Sequence, residues 1–576
     1  MKKIIQRAFS ILNATEKKRG LLIIVLLVLQ SLLDFFSIAS FLPVIFLIIN
    51  PGFISSNEIL KSAFIYFGFS SAGSFIIAIT FLVLGFTFAK AIISYGISLV
   101  KARYIFGIAT ALSDRTLARY LETGYPGFSD ADFSREVSRI TNYPVTFANS
   151  LLLPLANLIS EGLIFILIVA CIVVYDIKII LLLIIVLIPF VVMYLSFKKN
   201  TNHISQNIKD KFPLYLKYAQ QIVEALIEIK ISAQEKFFSK RFTKTARELS
   251  EVFASDHIIQ NSLIRFTEVI AGVIICVLVI YAVFSGQTYQ QTILILTIYA
   301  GASFRIIPSI NRILLASFQI RSHEYIVQEL ADLSNSKPAK PTEPSTESLL
   351  FSERLDLINL SFGYLNEHTI LKNINLTIRR GTKVALTGKS GEGKTTLLLI
   401  LLGFLKNYTG EIRIDSNIVS QNSLRTIMGY VPQNPYIMDG TIAENIAFGI
   451  DAENIDRSKI QDLLHELDLD GLIERLPEGI DSQIGERGVK LSGGQRQRIT
   501  LARALYANAD ILLIDEATNQ LHHSLEAEIM KLLDDLKAKG KTIVIITHKL
   551  SKHAAYDFIY RLEDGNLVES ASFELI

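Results

Sequence analysis

Two cysteines in 576 residues are too few for a disulfide framework to hold this chain together. Both Cys171 and Cys276 lie inside apolar stretches, where a thiol reads as a small buried hydrophobe. Charge is scarce as well. Only 19% of residues are Asp, Glu, Lys or Arg, which is low for a soluble protein and points towards a membrane. The net charge of +3 excludes a global nucleic-acid-binding field. Lys and Arg are missing altogether from residues 20–49. That run is far longer than a signal-peptide core and, at about 1.5 Å per residue, longer than a hydrocarbon layer of about 30 Å.

What is present divides the chain. Half of the residues are hydrophobic and mean hydropathy is +0.40, with the apolar residues concentrated in the first 320 positions. Five further runs, 75–100, 151–175, 179–197, 266–284 and 292–318, are apolar enough to cross, giving six spans. Basic residues set their orientation. Lys2, Lys3, Arg7, Lys17, Lys18 and Arg19 precede the first span, and the connections 101–149 and 198–262 are rich in Lys and Arg. The alternate loops hold only Lys61, Lys178 and none. Both termini are therefore expected in the cytoplasm, with the two long connections as cytoplasmic extensions of the helices. Residues 334–352 carry Pro338, Pro341 and Pro344 among Ser, Thr, Lys and Glu, a composition that builds no core. The expected domains are a transmembrane half over 1–321, a linker over 322–352 and a soluble half over 353–576.

Charges inside the spans are Asp34, Lys90, Glu161, Arg265, Glu268, Arg305 and Arg312. Arg305 and Arg312 are seven apart and share a helix face, with a kink expected at Pro308. A basic lumen receiving an anionic substrate is one reading; snorkelling, or pairing with Asp34, Glu161 and Glu268, is the other.

The soluble half carries the chemistry. Residues 388–396, "GKSGEGKTT", follow the apolar strand Val384-Ala385-Leu386 and match G-x-x-x-x-G-K-[ST]. Backbone N–H groups around Gly388, Ser390, Gly391 and Gly393, with the following helix N-terminus, cradle phosphates. Lys394 meets the β- and γ-phosphates, and Thr395, followed by Thr396, holds Mg²⁺. A second apolar strand, "ILLI", delivers Asp515 and Glu516 to its exposed end. Asp515 can hold the Mg²⁺ shell and Glu516 can polarise an attacking water; the bland alternative is two solvated carboxylates.

The segment "LSGGQRQRITLARAL" at 491–505 resembles the signature of ABC transporter ATPases. The resemblance implies further roles in order. Tyr364 in "SFGY" corresponds to the aromatic that stacks on adenine, and Gln433 in "YVPQN" to the glutamine that senses Mg²⁺. "GERG" at 485–488 resembles the exporter segment that touches the cytoplasmic extensions, and His548 in "IITHKL" corresponds to the switch histidine. Ser492, Gly493, Gly494 and Gln495 form the signature, which in that family faces ATP bound by a second subunit. The implied architecture is a multi-domain membrane protein, an all-α exporter-type domain of six helices followed by an α/β P-loop ATPase. It is expected to work as a homodimer in the bacterial cytoplasmic membrane, with ATP and Mg²⁺ as cofactors and no nucleic-acid partner.

One part departs from the family. Asn519-Gln520-Leu521-His522 stands where Ser-Ala-Leu-Asp is usual. An imidazole cannot reproduce a permanent carboxylate acceptor, which leaves two readings: altered coupling between sites, or a His522 that simply fills the interface.

"FRIIPSINRI" at 304–313 and "EALIEIKI" at 224–231 are similar to segments of the PglK-type flippases of lipid-linked oligosaccharides. That resemblance makes Lys90, Arg265, Arg305 and Arg312 the candidates for a pyrophosphate head group. It also makes Ile59, Leu60, Phe64 and Phe67 a face for lipid tails. The expected function is ATP-driven translocation of a lipid or glycolipid, with export of peptides or hydrophobic drugs as the alternative. A first span beginning near residue 20 disfavours the exporters that carry a leader-cleaving protease domain.

Overall fold

A computed structural model describes residues 1–122, 133–175, 179–284, 289–335, 349–364, 369–485, 491–516, 523–551 and 555–569. Two compact units emerge, a helical one built on 1–121 and 131–338 and a second built on 339–576.

In the helical unit the first expected span is broken. Ala14–Ala39 is one helix and Phe41–Ile49 another. Pro43 explains the break, because its ring would collide with the carbonyl four residues back, at Ala39, and it has no N–H to offer. Ala72–Glu122 is a single helix of 51 residues, about 75 Å at 1.5 Å per residue and so much longer than a bilayer core. Phe133–Phe147 passes through a π-helical turn, Ala148–Leu152, into Leu153–Tyr175. Ile179–Glu224 and Glu235–Phe284 are joined by the short helix Leu226–Ile231, and Tyr289–Ser322 is one helix containing Pro308. The connections 198–224 and 235–262 thus extend their helices, as expected.

Among the described residues, Ala14–Ser37, Ala72–Glu122 and Phe133–Cys171 are long and apolar enough to cross a membrane by length and composition. The other expected spans, 179–197, 266–284 and 292–318, each lie inside a helix. Leu21, Leu22, Phe81, Leu82 and Phe88 are exposed, the pattern of a helix whose outer solvent is lipid. The two cysteines differ from expectation for the same reason. Cys171 and Cys276 are free and exposed on helix surfaces, not buried.

The outer segment also differs in detail from expectation. Leu60 and Phe64 of the helix Glu58–Tyr66 pack against Leu47, Ile54 and Phe75, while Ile59 and Phe67 remain exposed. The helix turns two of the four residues inward, since its nine residues supply too little surface for two apolar faces.

The start of the expected linker is ordered. Glu324–Asn335 is a helix, and its Tyr325, Ile326, Val327 and Leu330 are buried in one core with Ile4, Ala8, Tyr143 and Ile204. Its Glu329 carboxylate accepts hydrogen bonds from Arg139 at 2.8 Å and Arg135 at 2.7 Å, with Lys209 at 3.3 Å. Burial pushes this carboxyl up, but the two guanidinium groups override it and bring it down to about 2. Residues 336–348, with the prolines, lie outside the described residues.

The second unit has two sheets. β1 (Arg354–Phe362), β2 (Leu371–Arg379), β4 (Thr409–Ile414) and β5 (Asn417–Ile418) form an antiparallel sheet in the order β2-β1-β4-β5. β3 (Lys383–Thr387), β6 (Met428–Val431), β7 (Ile511–Asp515), β8 (Thr542–Ile546), β9 (Phe558–Glu563) and β10 (Asn566–Glu569) form the other, in the order β10-β9-β3-β8-β7-β6. Its strands are parallel except β10. β3, β7 and β8 are almost wholly buried, as continuous apolar strands covered on both faces must be. Their carboxyl ends open where such sheets bind ligands.

Candidate functional site

The loop after β3 needs glycine for two separate reasons. Gly388 has φ +147°, and a Cβ there would stand 2.6 Å from the carbonyl oxygen of Leu562. Gly393 has φ +102° and caps the helix Lys394–Leu401; its Cβ would meet Ile370 at 2.8 Å. Only glycine lets the backbone wrap this closely, and the helix N-terminus that follows suits an anion; the Lys389 N–H donates to Glu392 Oε2 at 3.0 Å. Ser390, Gly391 and Thr395 are exposed around the loop, and Thr396 is buried beneath it.

Lys394 folds back over that loop. Its Nζ donates to the carbonyl oxygens of Gly388 and Lys389, both at 2.8 Å, and stands 3.3 Å from His548 Nδ1. Burial lowers the ammonium, against the opposing charges of Glu516, Glu392 and Asp515. His548, just beyond β8, also lies 3.0 Å from the Gly388 oxygen and presents Nε2 to Glu516 Oε1 at 2.5 Å. The other oxygen, Glu516 Oε2, accepts from Gln433 Nε2 at 3.2 Å. Gln433, Glu516, His548 and Lys394 therefore form one continuous chain across the ends of four neighbouring strands, β6, β7, β8 and β3.

Glu516 holds a left-handed backbone, φ +46°, which costs a non-glycine residue on the order of 1 kcal/mol or more. The turn is fixed by its N–H bond to Ile546 oxygen at 2.9 Å. Asp515 ends β7 and accepts from Tyr430 at 3.4 Å. Burial, then the adjacent Glu516 charge, push its carboxyl up. A carboxylate held in this way gains from a cation beside it. The Thr395 hydroxyl, the Asp515 carboxylate and the Gln433 amide offer hard oxygen ligands of the kind that suit Mg²⁺, so the residues fit that ion.

The signature residues stand apart from this chain. Ser492 is the N-cap of the helix Gly493–Tyr506, its Oγ accepting from Gln495 N at 3.3 Å while Gln495 Oε1 accepts from Ser492 N at 2.8 Å. This reciprocal box leaves the Gly493 and Gly494 amides at the positive end of the helix. Tyr364 is half-buried and packs edge-to-face on Phe362, ring centroids 5.1 Å apart. Residues 486–490, which include most of "GERG", and 517–522, which include His522, lie outside the described residues.

Two residues here escaped the sequence reading. Arg503, on the signature helix, donates from Nε to Asn445 oxygen at 2.8 Å and from Nη1 to Tyr436 oxygen at 3.2 Å, and lies over Phe448. Buried Asn445 in turn ties Met438 and Thr441. Together they clamp the segment that follows Gln433 to the helix that follows Ser492. No sequence signal singles Arg503 out, since Arg496 and Thr500 share its helix face.

In the helical unit, three of the four proposed substrate residues come together. Lys90 pairs with Asp34 at 2.6 Å, and Arg305 Nη2 lies 3.5 Å from both Asp34 and Glu161. Arg312 pairs with Glu161, which also accepts from Ser309 at 2.7 Å. Arg265 does not join them; it is exposed and meets only Glu268 at 3.4 Å among the described ion pairs. Pairing with acidic partners, one of the two readings of these charges, is what the structure contains.

Residues 371–519 match the ABC transporter family. The chain is 37% identical over 284 residues to an ATP-dependent lipid A-core flippase of Saccharophagus degradans, covering 48% of this chain and 47% of that one. It is 41% identical over 228 residues to a protein of the same description from Syntrophus aciditrophicus, covering 39% and 37%. The heterocyst differentiation ATP-binding protein HepA of a Nostoc species is 34% identical over 311 residues, covering 53% and 50%. The matches thus span about half, or less, of these relatives' length. A bacterial Atm1-family ABC exporter solved with ATP bound superposes with a TM-score of 0.75 at 21% identity, covering 97% of this chain and 95% of that one. Residues 371–519 are accordingly an ABC transporter ATPase domain, carried in a membrane protein with the fold of an ABC exporter.

Proposed function

We propose that this chain couples ATP hydrolysis to translocation of a lipid or lipid-linked oligosaccharide across the bacterial cytoplasmic membrane. It works as a homodimer with two ATP sites, its termini and ATPase domain in the cytoplasm. The chain of contacts from Gln433 through Glu516 and His548 to Lys394 carries the catalytic part of this reading. The loop 388–396 binds the phosphates, Lys394 exchanging its carbonyl partners for phosphate oxygens. Tyr364 stacks on the base, and Ser492, Gly493, Gly494 and Gln495 meet the nucleotide of the second copy. Glu516 orients and polarises the attacking water, with His548 and Gln433 fixing its two oxygens. Thr395, Asp515 and Gln433 would hold Mg²⁺, which would supply charge neutralisation at the phosphates.

The lipid part is supported by the lipid A-core flippases among the relatives and by the intramembrane cluster of Lys90, Arg305 and Arg312. The PglK-like segments point to a glycolipid. ATP-dependent flipping of a labelled lipid-linked sugar in proteoliposomes tests the reading, with Glu516→Gln as the inactive control. ATP consumption without movement of any lipid would overturn it.

A further inference from the structure

The basic cluster in the helical unit is already filled by acids of the same chain, and its members differ in what their release would cost. Arg305, with 15% of its side chain exposed, bridges the Asp34 and Glu161 carboxylates at 3.5 Å each and so ties together the helices Ala14–Ala39, Leu153–Tyr175 and Tyr289–Ser322. Removing it would take one partner from each of two acids at once, leaving Asp34 with Lys90 and Glu161 with Arg312 and Ser309. Arg312 pairs with Glu161 alone among the described acids and has 56% of its side chain exposed, whereas Glu161 has 7%. Glu161 keeps two other partners, Arg305 and the Ser309 hydroxyl at 2.7 Å, if Arg312 leaves. A buried carboxylate without partners is prohibitively costly, and these two make departure of the third tolerable.

We propose that Glu161 is a resident counter-ion for Arg312, which exchanges it for the phosphate of an anionic lipid, while Arg305 is a fixed keystone that never meets the substrate. This deepens the reading of the basic cluster as a head-group site and rests on it. The cluster of Lys90, Arg305 and Arg312 against Asp34 and Glu161 leaves one formal positive charge for an incoming anion. Arg312 offers a planar fork able to take two phosphate oxygens in place of the carboxylate. The exchange also gives selectivity, because a lipid without an anionic head group cannot compete with Glu161.

The test measures farnesyl phosphate binding to the full chain in phosphatidylcholine nanodiscs, with saturating ADP filling the nucleotide site. Arg312→Gln is expected to weaken binding about tenfold at unchanged melting temperature, and Glu161→Gln to tighten it about threefold. Arg305→Gln is expected to lower the melting temperature. Should Glu161→Gln fail to fold, Ser309→Ala serves, with the opposite sign. Glu161, robbed of its neutral partner, then holds Arg312 more firmly, and affinity falls about threefold. Parent-like affinity in Glu161→Gln or Ser309→Ala, with Arg312→Gln still weakened, overturns the exchange and leaves the head-group reading standing. Unchanged binding in both the Arg312 and Glu161 variants overturns both. Inorganic phosphate binding as tightly as farnesyl phosphate overturns the assignment to a lipid.

Discussion

The His548 imidazole and the Glu516 carboxylate are in contact, Nε2 to Oε1 at 2.5 Å, although 32 positions separate them in the chain. β7 and β8 lie side by side and parallel, so the residues just beyond their ends meet. Glu516→Gln keeps the shape and the Gln433 contact while removing the charge that polarises water. Phosphate release is expected to fall about 10²–10³-fold with nucleotide binding retained. Turnover within a few-fold of the parent would remove Glu516 from the chemistry.

Gly388 and Gly391 both have positive φ, but only Gly388 faces an obstacle, the Leu562 oxygen 2.6 Å from its added Cβ. Gly388→Ala should therefore cost nucleotide affinity at least about tenfold and lower the melting temperature, while Gly391→Ala carries only the backbone strain of about 1 kcal/mol. Binding of a fluorescent ATP analogue ranks the two. Equal losses would show that strain alone, not the close approach, governs the loop.

Glu329 is held down to about 2 in the folded chain by Arg139 and Arg135 against its burial. Its folded value lies below the unfolded one, so its stabilisation is complete above about pH 4.5 and is lost as pH falls towards 2. Discounted for its partly exposed partners, the contribution is roughly 2 kcal/mol. Glu329→Gln should lower the melting temperature at pH 7 and flatten the acid side of the stability profile. A variant that retains the parent's acid sensitivity would assign that sensitivity to other groups.

Arg503 spans from the signature helix to the Tyr436 and Asn445 carbonyls. Arg503→Gln leaves the buried Asn445 carbonyl unmet and is expected to cost about 1–3 kcal/mol of stability in the ATPase domain. Thermal unfolding measures this directly. No shift would mean that the Phe448 and Asn445 packing holds the segment unaided.

The ATPase site was legible because its parts are local. A glycine-rich loop needs nine consecutive residues, and Asp515 and Glu516 need only the four apolar residues before them. Where contacts are distant the sequence was silent. Nothing near Arg503 names Asn445, and nothing near Glu329 announces Arg135, Arg139 and Lys209. The helix Glu324–Asn335 within the expected linker was not legible, because its burial depends on partners as remote as Ile4 and Ala8. The buried reading of Cys171 and Cys276 failed because an apolar helix surrounded by lipid can turn its small residues outward.

Composition, apolar run length and the phosphate-loop and signature motifs fix what this chain is made of: membrane-crossing helices and an ATPase, since each depends on residues close in sequence. Tertiary structure alone decides which charges inside the helices neutralise one another, and so which are available. Sequence offers Lys90, Arg265, Arg305 and Arg312 as equals. Packing separates them, because the energy of a charge in a low-dielectric interior is set by its nearest partner, and that partner is chosen by how the helices meet.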